Sequence, residues 1–279
     1  MAGFLGFYNY EKEGPGIEKN APKKKTFIVF FETFFRNFWK FIPINFVFSL
    51  LSLPLLTSGI TSAGLTNVAR NTARDKHSFG LSDFYDTIKA NFNQALVAGI
   101  INVIVFAILI FAMAFYYVTK GTFSVLGLGL CFAVLFIFVS MGYYIWTLMI
   151  TFKYTLKQIY SNSFKFVFLN LKNNLLCTLC LILAYGVYVV IFLLFPNYLV
   201  IAVEILIGMS TLPGFTFLII QYFTFPAIRK FIIDPYYAEH PDEDIEKRRN
   251  LGIEIEGEDD EEQDVENDEY DESQDFVDF

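Results

Sequence analysis

The sequence predicts an all-α fold: a polytopic transmembrane helical bundle with five to six membrane helices and a disordered acidic C-terminal tail. Three observations carry that prediction. Apolar residues make up 54% of the 279, and Phe alone accounts for 34. Several windows stay apolar over the roughly 20 residues a bilayer crossing requires. Charge is also segregated. Residues 239–279 hold 20 Asp and Glu against Lys247, Arg248 and Arg249, whereas residues 1–238 hold 9 acids against 18 Lys and Arg. The net charge of −8 therefore averages a basic membrane body and an acidic tail. Basic residues beside apolar windows report topology and contact with anionic lipid, not nucleic acid.

Residues 1–25 form a polar N-terminal segment broken at Gly14-Pro15-Gly16 and Ala21-Pro22. The apolar stretch comes only afterwards, and no small-residue cleavage site follows it. A retained anchor is expected, not a signal peptide. The transmembrane domain is read as 26–238. Its first part, 26–40, is rich in Phe and places Glu32 four residues before Arg36, which suits an interfacial helix. Trp39 would sit at the headgroup level. The first span is expected at 41–56, with Pro43 and Pro54 tolerated where neighbouring helices satisfy the backbone. A second, shorter helix is expected at 60–76, where Gly59-x-x-x-Ala63 would let it lie close to a neighbour. Residues 79–93 read as a polar amphipathic helix with Ser82 as N-cap. Four long apolar windows follow at 95–118, 123–150, 173–195 and 198–226, and Asp234-Pro235 is expected to end the helix.

The connections set the topology. Segments 70–89, 153–172 and 229–230 are rich in Lys and Arg, while Thr119–Thr122 and Pro196-Asn197 carry only Lys120. The positive-inside rule puts the first group in the cytoplasm and the two tight turns outside. The basic N-terminus belongs inside as well, so 41–76 should enter and return. Six membrane-embedded helices then leave both termini cytoplasmic, and five would not. The turn near Gly59 would lie close to the outer interface.

One stretch carries a family pattern: Leu53-Pro54-Leu55-Leu56-Thr57-Ser58-Gly59, then Val68-Ala69-Arg70, then Asn91-Phe92-Asn93-Gln94-Ala95. It resembles the YesL family of bacterial membrane proteins, also called domain of unknown function 624. The hallmark of that family is a first helix ending in Leu-Pro-x-x-Thr-x-Gly. A small-residue helix ending in a basic residue follows, then an Asn-Phe-x-Gln-Ala entry to the next span. The resemblance implies a multi-pass protein of a bacterial plasma membrane with no established reaction. Family members often accompany carbohydrate ABC uptake systems. An accessory, non-enzymatic role beside sugar ABC permease subunits is therefore the implied function. Rival readings are a small-solute transporter acting by itself and a structural membrane bundle.

The residues offer little chemistry. His77 and His240 are the two histidines, both in polar segments, so no triad can be built in a span. There is no Walker A sequence. Cys177-x-x-Cys180 lacks further metal ligands, and reads as two small residues in a helix. No cofactor is expected. Asn45 and Asn102 lie in spans and suggest hydrogen bonds between helices. Glu204 is the acid deepest in an apolar window, which makes it a functional candidate; its plain reading is that it reaches water or Lys120. Pro54, Thr57 and Gly59 are expected to shape the first helical turn. Pro213-Gly214 suggests a kink. A wide polar cavity lined by Asn102, Glu204 and Gln221 would favour transport. A tightly packed apolar bundle with a helix-sized external groove would favour a partner.

Overall fold

The computed structural model describes residues 26–74, 76, 78–119 and 121–239. The expectations for residues 1–25 and for the acidic segment beyond Glu239 lie outside the described residues. The described chain is all-α. In order it forms α1 (Thr26–Arg36), α2 (Phe38–Ser52), α3 (Ser58–Ala73), α4 (Leu81–Thr119), α5 (Thr122–Thr151), α6 (Leu156–Leu169), α7 (Leu171–Leu194), α8 (Tyr198–Ile228) and α9 (Asp234–Glu239). A 3-10 turn, Leu55–Thr57, joins α2 to α3, and a π-helical turn, Arg229–Ile233, joins α8 to α9.

Four helices among the described residues are long and apolar enough to cross a membrane: α4, α5, α7 and the run that begins with α8. Their apolar windows face outward. Only 6% of the window in α7 is buried within the molecule, which is what a lipid-facing helix requires and what water would not tolerate. The chain is a multi-pass membrane protein whose long helices contact lipid.

Burial is concentrated at one end of these helices. The buried residues of α4 fall mainly between Phe84 and Gly99, those of α5 mainly between Ser140 and Met149, and those of α8 between Gly214 and Ile228. The tight turns at 119–121 and 195–197 lie at the other end. The shorter helices pack around the buried end, with α3 in the middle against α2, α4, α5 and α8. Of its 16 residues, ten are buried, though it is the least apolar of the inner helices.

Several boundaries differ from the sequence reading. The polar 79–93 segment and the 95–118 window are one helix of 39 residues, about 58 Å long. Ser82 is not its N-cap. Gly80, at φ +64°, turns the chain into the helix, and Asp83 accepts the Phe79 N–H at 3.0 Å. The Ser82 hydroxyl instead donates to Asp86. The Lys-rich 153–172 connection is mostly helical as α6, because Gln158 caps it by accepting the Thr155 N–H at 2.8 Å. Asp234-Pro235 does not end the helix. Proline is accommodated in a first turn, where its missing N–H costs nothing, and α9 runs on to Glu239 with Tyr237 buried.

The turn between α2 and α3 is not level with the turn at 119–121. Gly59 lies on Gly99, 20 residues before the end of α4, which is about 30 Å of helix. Ser49 meets Met209, 11 residues into α8, about 17 Å from its start. Helices of 15 and 16 residues reach only about 24 Å. The α2–α3 hairpin therefore stops part-way along the bundle, short of the outer end the sequence suggested.

Candidate functional site

The small polar residues of α3 let it sit at the centre. Two of its buried hydroxyls bond its own backbone, Thr61 donating to the Ser58 carbonyl at 3.0 Å and Thr66 to that of Ser62 at 2.6 Å. Its glycines let α4 approach. That leaves Asn67 and Arg70, one turn apart on one face, to reach across to other helices.

They form a polar network joining four helices. Arg70 Nη2 donates to Asn67 Oδ1 at 2.9 Å, and Asn67 Nδ2 donates to Thr87 Oγ1 on α4 at 2.8 Å. Arg70 Nη1 donates to Thr151 Oγ1 on α5 at 2.7 Å. One turn back, Thr147 Oγ1 accepts from Gln221 Nε2 on α8 at 2.8 Å. Every partner of Arg70 is neutral. Its Nε and the Oε1 of Gln221 are both buried without a hydrogen-bond partner, an uncommon cost in a folded interior.

Arg70 and Gln221 open on one cavity of about 210 Å³, which Ala73, Arg74, Tyr222, Phe225 and Pro226 also line. Arg74, one turn after Arg70, places its guanidinium 4.8 Å from the Phe225 ring centre, a cation–π contact. Arg229 adds its charge beside Arg74 and is itself paired with Asp234 at 3.2 Å. The local potential is positive: burial, then the charges of Arg74 and Arg70, hold Lys76 below the usual lysine range. The site presents fixed cationic donors in a partly apolar cavity.

Apart from Gln221, the residues singled out from the sequence do not gather here. Asn45 and Ser49 sit where α2 crosses α8. Asn45 Nδ2 donates to the Ser210 carbonyl at 2.7 Å and Ser49 Oγ to that of Met209 at 3.1 Å. Pro213 lacks the N–H that would bond Met209, so Ser49 takes its place. Gly214 makes the room, since a Cβ there would stand 2.6 Å from Phe41. Pro54, with extended backbone, separates α2 from the 3-10 turn. Thr57 Oγ1 donates to the carbonyls of Leu51 and, at 2.7 Å, Pro54. Gly59 is the contact to α4. Asn102 accepts from Tyr160 of α6 at 3.0 Å. Glu204 lies elsewhere, in an open, mostly apolar groove between α7 and α8 with Tyr188, Phe192, Ile205 and Leu212. Its Oε2 is buried without a partner, and Lys120 lies outside the described residues.

From sequence Arg70 marks topology, whereas in the structure it lies in the core. The available signal was Asn67-x-x-Arg70 on a helix of small residues. A cation with a neutral neighbour one turn away, on a helix too small-sided to reach lipid, has to face other helices.

Residues 41–113 match the family model DUF624, described as a protein of unknown function. That segment spans most of α2, all of α3 and α4 up to its last turns, so it holds both the Gly59 contact and the Asn67–Arg70–Thr87 part of the network. No curated protein and no solved structure matches the chain.

Proposed function

We propose that this multi-pass protein, which carries the DUF624 segment, is a non-enzymatic accessory of a carbohydrate ABC permease in a bacterial plasma membrane. In this reading α4, α5, α7 and α8 cross the bilayer, and α2 and α3 form a re-entrant hairpin. The six membrane-embedded helices then return the chain to its starting side, and the Lys- and Arg-rich connections make that side the cytoplasm.

The observation that carries the reading is the groove between α7 and α8. It holds about 420 Å³ of open space on the lipid-facing side and is apolar apart from Glu204. A carboxyl oxygen without a partner in such a place favours a neighbour that brings a donor. A permease transmembrane helix with a polar residue on one face supplies both the apolar surface and that donor. A transport path has less support, because Asn102, Glu204 and Gln221 lie in three separate places: against Tyr160, in the groove, and against Thr147. The carbohydrate assignment rests on the family resemblance.

The test places a photo-crosslinking residue at Val189 or Ile205 in cells that co-express a carbohydrate ABC permease. A crosslink to a permease membrane helix, weakened by Glu204→Leu, is expected. Accumulation of a sugar by proteoliposomes that contain this chain alone would replace the accessory reading with transport.

A further inference from the structure

The cavity at Arg70 is independent of the α7–α8 groove, and its chemistry points to a ligand. A guanidinium carries five N–H donors. Two of those on Arg70 are used, by Asn67 and Thr151, and the Nε–H is buried with no acceptor. Among the described residues no carboxylate pairs with Arg70. Burying such a charge is costly unless an opposite charge meets it. On the facing helix the Gln221 Oε1 is also buried without a partner. Turned end for end, its amide would accept from the Thr147 hydroxyl and present its NH2 group to the cavity. Arg74 stands on the cavity wall one turn from Arg70.

We propose that this cavity binds a phosphate group, held by Arg70, Arg74 and the amide of Gln221. Arg70 and Arg74, a turn apart on one face, both line the cavity. Two guanidinium groups can share the three or four oxygens of a phosphate, whereas a carboxylate offers only two coplanar oxygens. Tyr222, Phe225 and Pro226 form an apolar wall for whatever carries the phosphate. The cavity lies at the buried, basic end of the bundle, where both an anionic lipid headgroup and a soluble phosphate can reach it.

The experiment uses the full-length protein. Inorganic phosphate is titrated calorimetrically into detergent-purified protein. In parallel, its thermal midpoint is compared in nanodiscs of phosphatidylcholine with and without phosphatidylglycerol. Saturable phosphate binding, weakened about tenfold or more by Gln221→Glu, is expected for a soluble ligand. Stabilisation by phosphatidylglycerol alone, lost in Gln221→Glu, identifies a lipid headgroup. The Gln221→Glu variant places a carboxylate beside Arg70 and so competes with the ligand without stranding the buried charge. Arg70→Gln is the second variant and should lose the same response. If neither phosphate nor phosphatidylglycerol affects the wild-type protein, or if Gln221→Glu responds as wild type does, the proposal is wrong.

Discussion

Gly59 of α3 and Gly99 of α4 meet backbone to backbone. A Cβ on Gly59 would stand 2.6 Å from the Gly99 Cα, and one on Gly99 would stand 2.8 Å from the Gly59 Cα. Neither contact can be relieved by a side-chain rotation, because both partners are main chain. The φ of Gly59 is not positive, so close approach, not backbone freedom, is what requires glycine here. Small residues at such crossings gain packing that lipid cannot supply.

Gly59→Leu should therefore destabilise the protein by at least about 1–3 kcal/mol through overpacking. Gly99→Leu should do the same, and the double variant should cost less than the sum, because either substitution alone already separates the helices. Thermal or denaturant unfolding in detergent measures this. If Gly59→Leu leaves unfolding unchanged but abolishes partner binding or transport, the crossing belongs to a functional surface instead.

The contact between α2 and the kinked α8 gives a second test. Pro213 leaves the Met209 carbonyl without its helical donor, and Ser49 supplies one at 3.1 Å. Ser49→Ala should cost about 0.6 kcal/mol, the average for hydrogen bonds between membrane helices, and at most about 1.7. In a Pro213→Ala background the new N–H at 213 can serve Met209 itself. The cost of Ser49→Ala should then fall toward zero. A double-mutant cycle read by unfolding checks it, and equal costs in both backgrounds would break the link between Ser49 and the proline.

Much of this architecture was legible in the sequence, because membrane helices announce themselves by length and hydropathy. The four long windows fall within about two residues of α5, α7 and the start of α8, and within the apolar part of α4. The crossing at Gly59 was visible too, as a small residue four positions before Ala63. What could not be read was depth. Hydropathy separates lipid from water, but α3 is buried in protein, where Thr61 and Thr66 bond their own helix backbone and Asn67 reaches Thr87 of α4. For that reason a polar helix passed for a weak span, and Arg70 passed for a topology marker. The junction between 79–93 and 95–118 was also invisible, because a helix does not end where its surroundings change from water to lipid. Helix α6, before the window expected at 173, was not legible for a related reason: the break at Asn170 that separates it from α7 is held by Asn170 and Asn174 through the Phe223, Phe166 and Val167 carbonyls, contacts distant in sequence or hidden in a turn.

Removal of residues 240–279 should leave the membrane domain intact. Asp and Glu dominate that segment, and repulsion among them opposes a packed core. The helix before it is different, since Tyr237 and Ile233 are buried. A stop after Glu239 should keep the thermal midpoint of the full chain, whereas Tyr237→Ala should lower it, at a cost of about 2–4 kcal/mol. Failure of the shortened chain to yield folded protein in detergent would show that the acidic segment contributes to stability.

The placement of the α2–α3 turn separates a re-entrant hairpin from two full crossings. Leu53 and Leu55 are 71% and 65% exposed, although they lie beside a hairpin tip that stops well short of the 119–121 turn. Exposed leucines at that level are stable only in lipid. A single cysteine at Leu55, in a chain whose Cys131, Cys177 and Cys180 have been replaced, should resist a membrane-impermeant maleimide from either side. Gly121→Cys should react from outside and Tyr236→Cys only from inside. Fusions of a reporter after residues 20 and 235 should both read cytoplasmic, because four crossings and one re-entrant hairpin restore the starting side. Two full crossings would give the same reporter result, so the fusions alone cannot decide the matter. Labelling of Leu55→Cys from outside is the outcome that would establish full crossings, and it would require α2 and α3 to slide along α4 away from the Gly59–Gly99 contact.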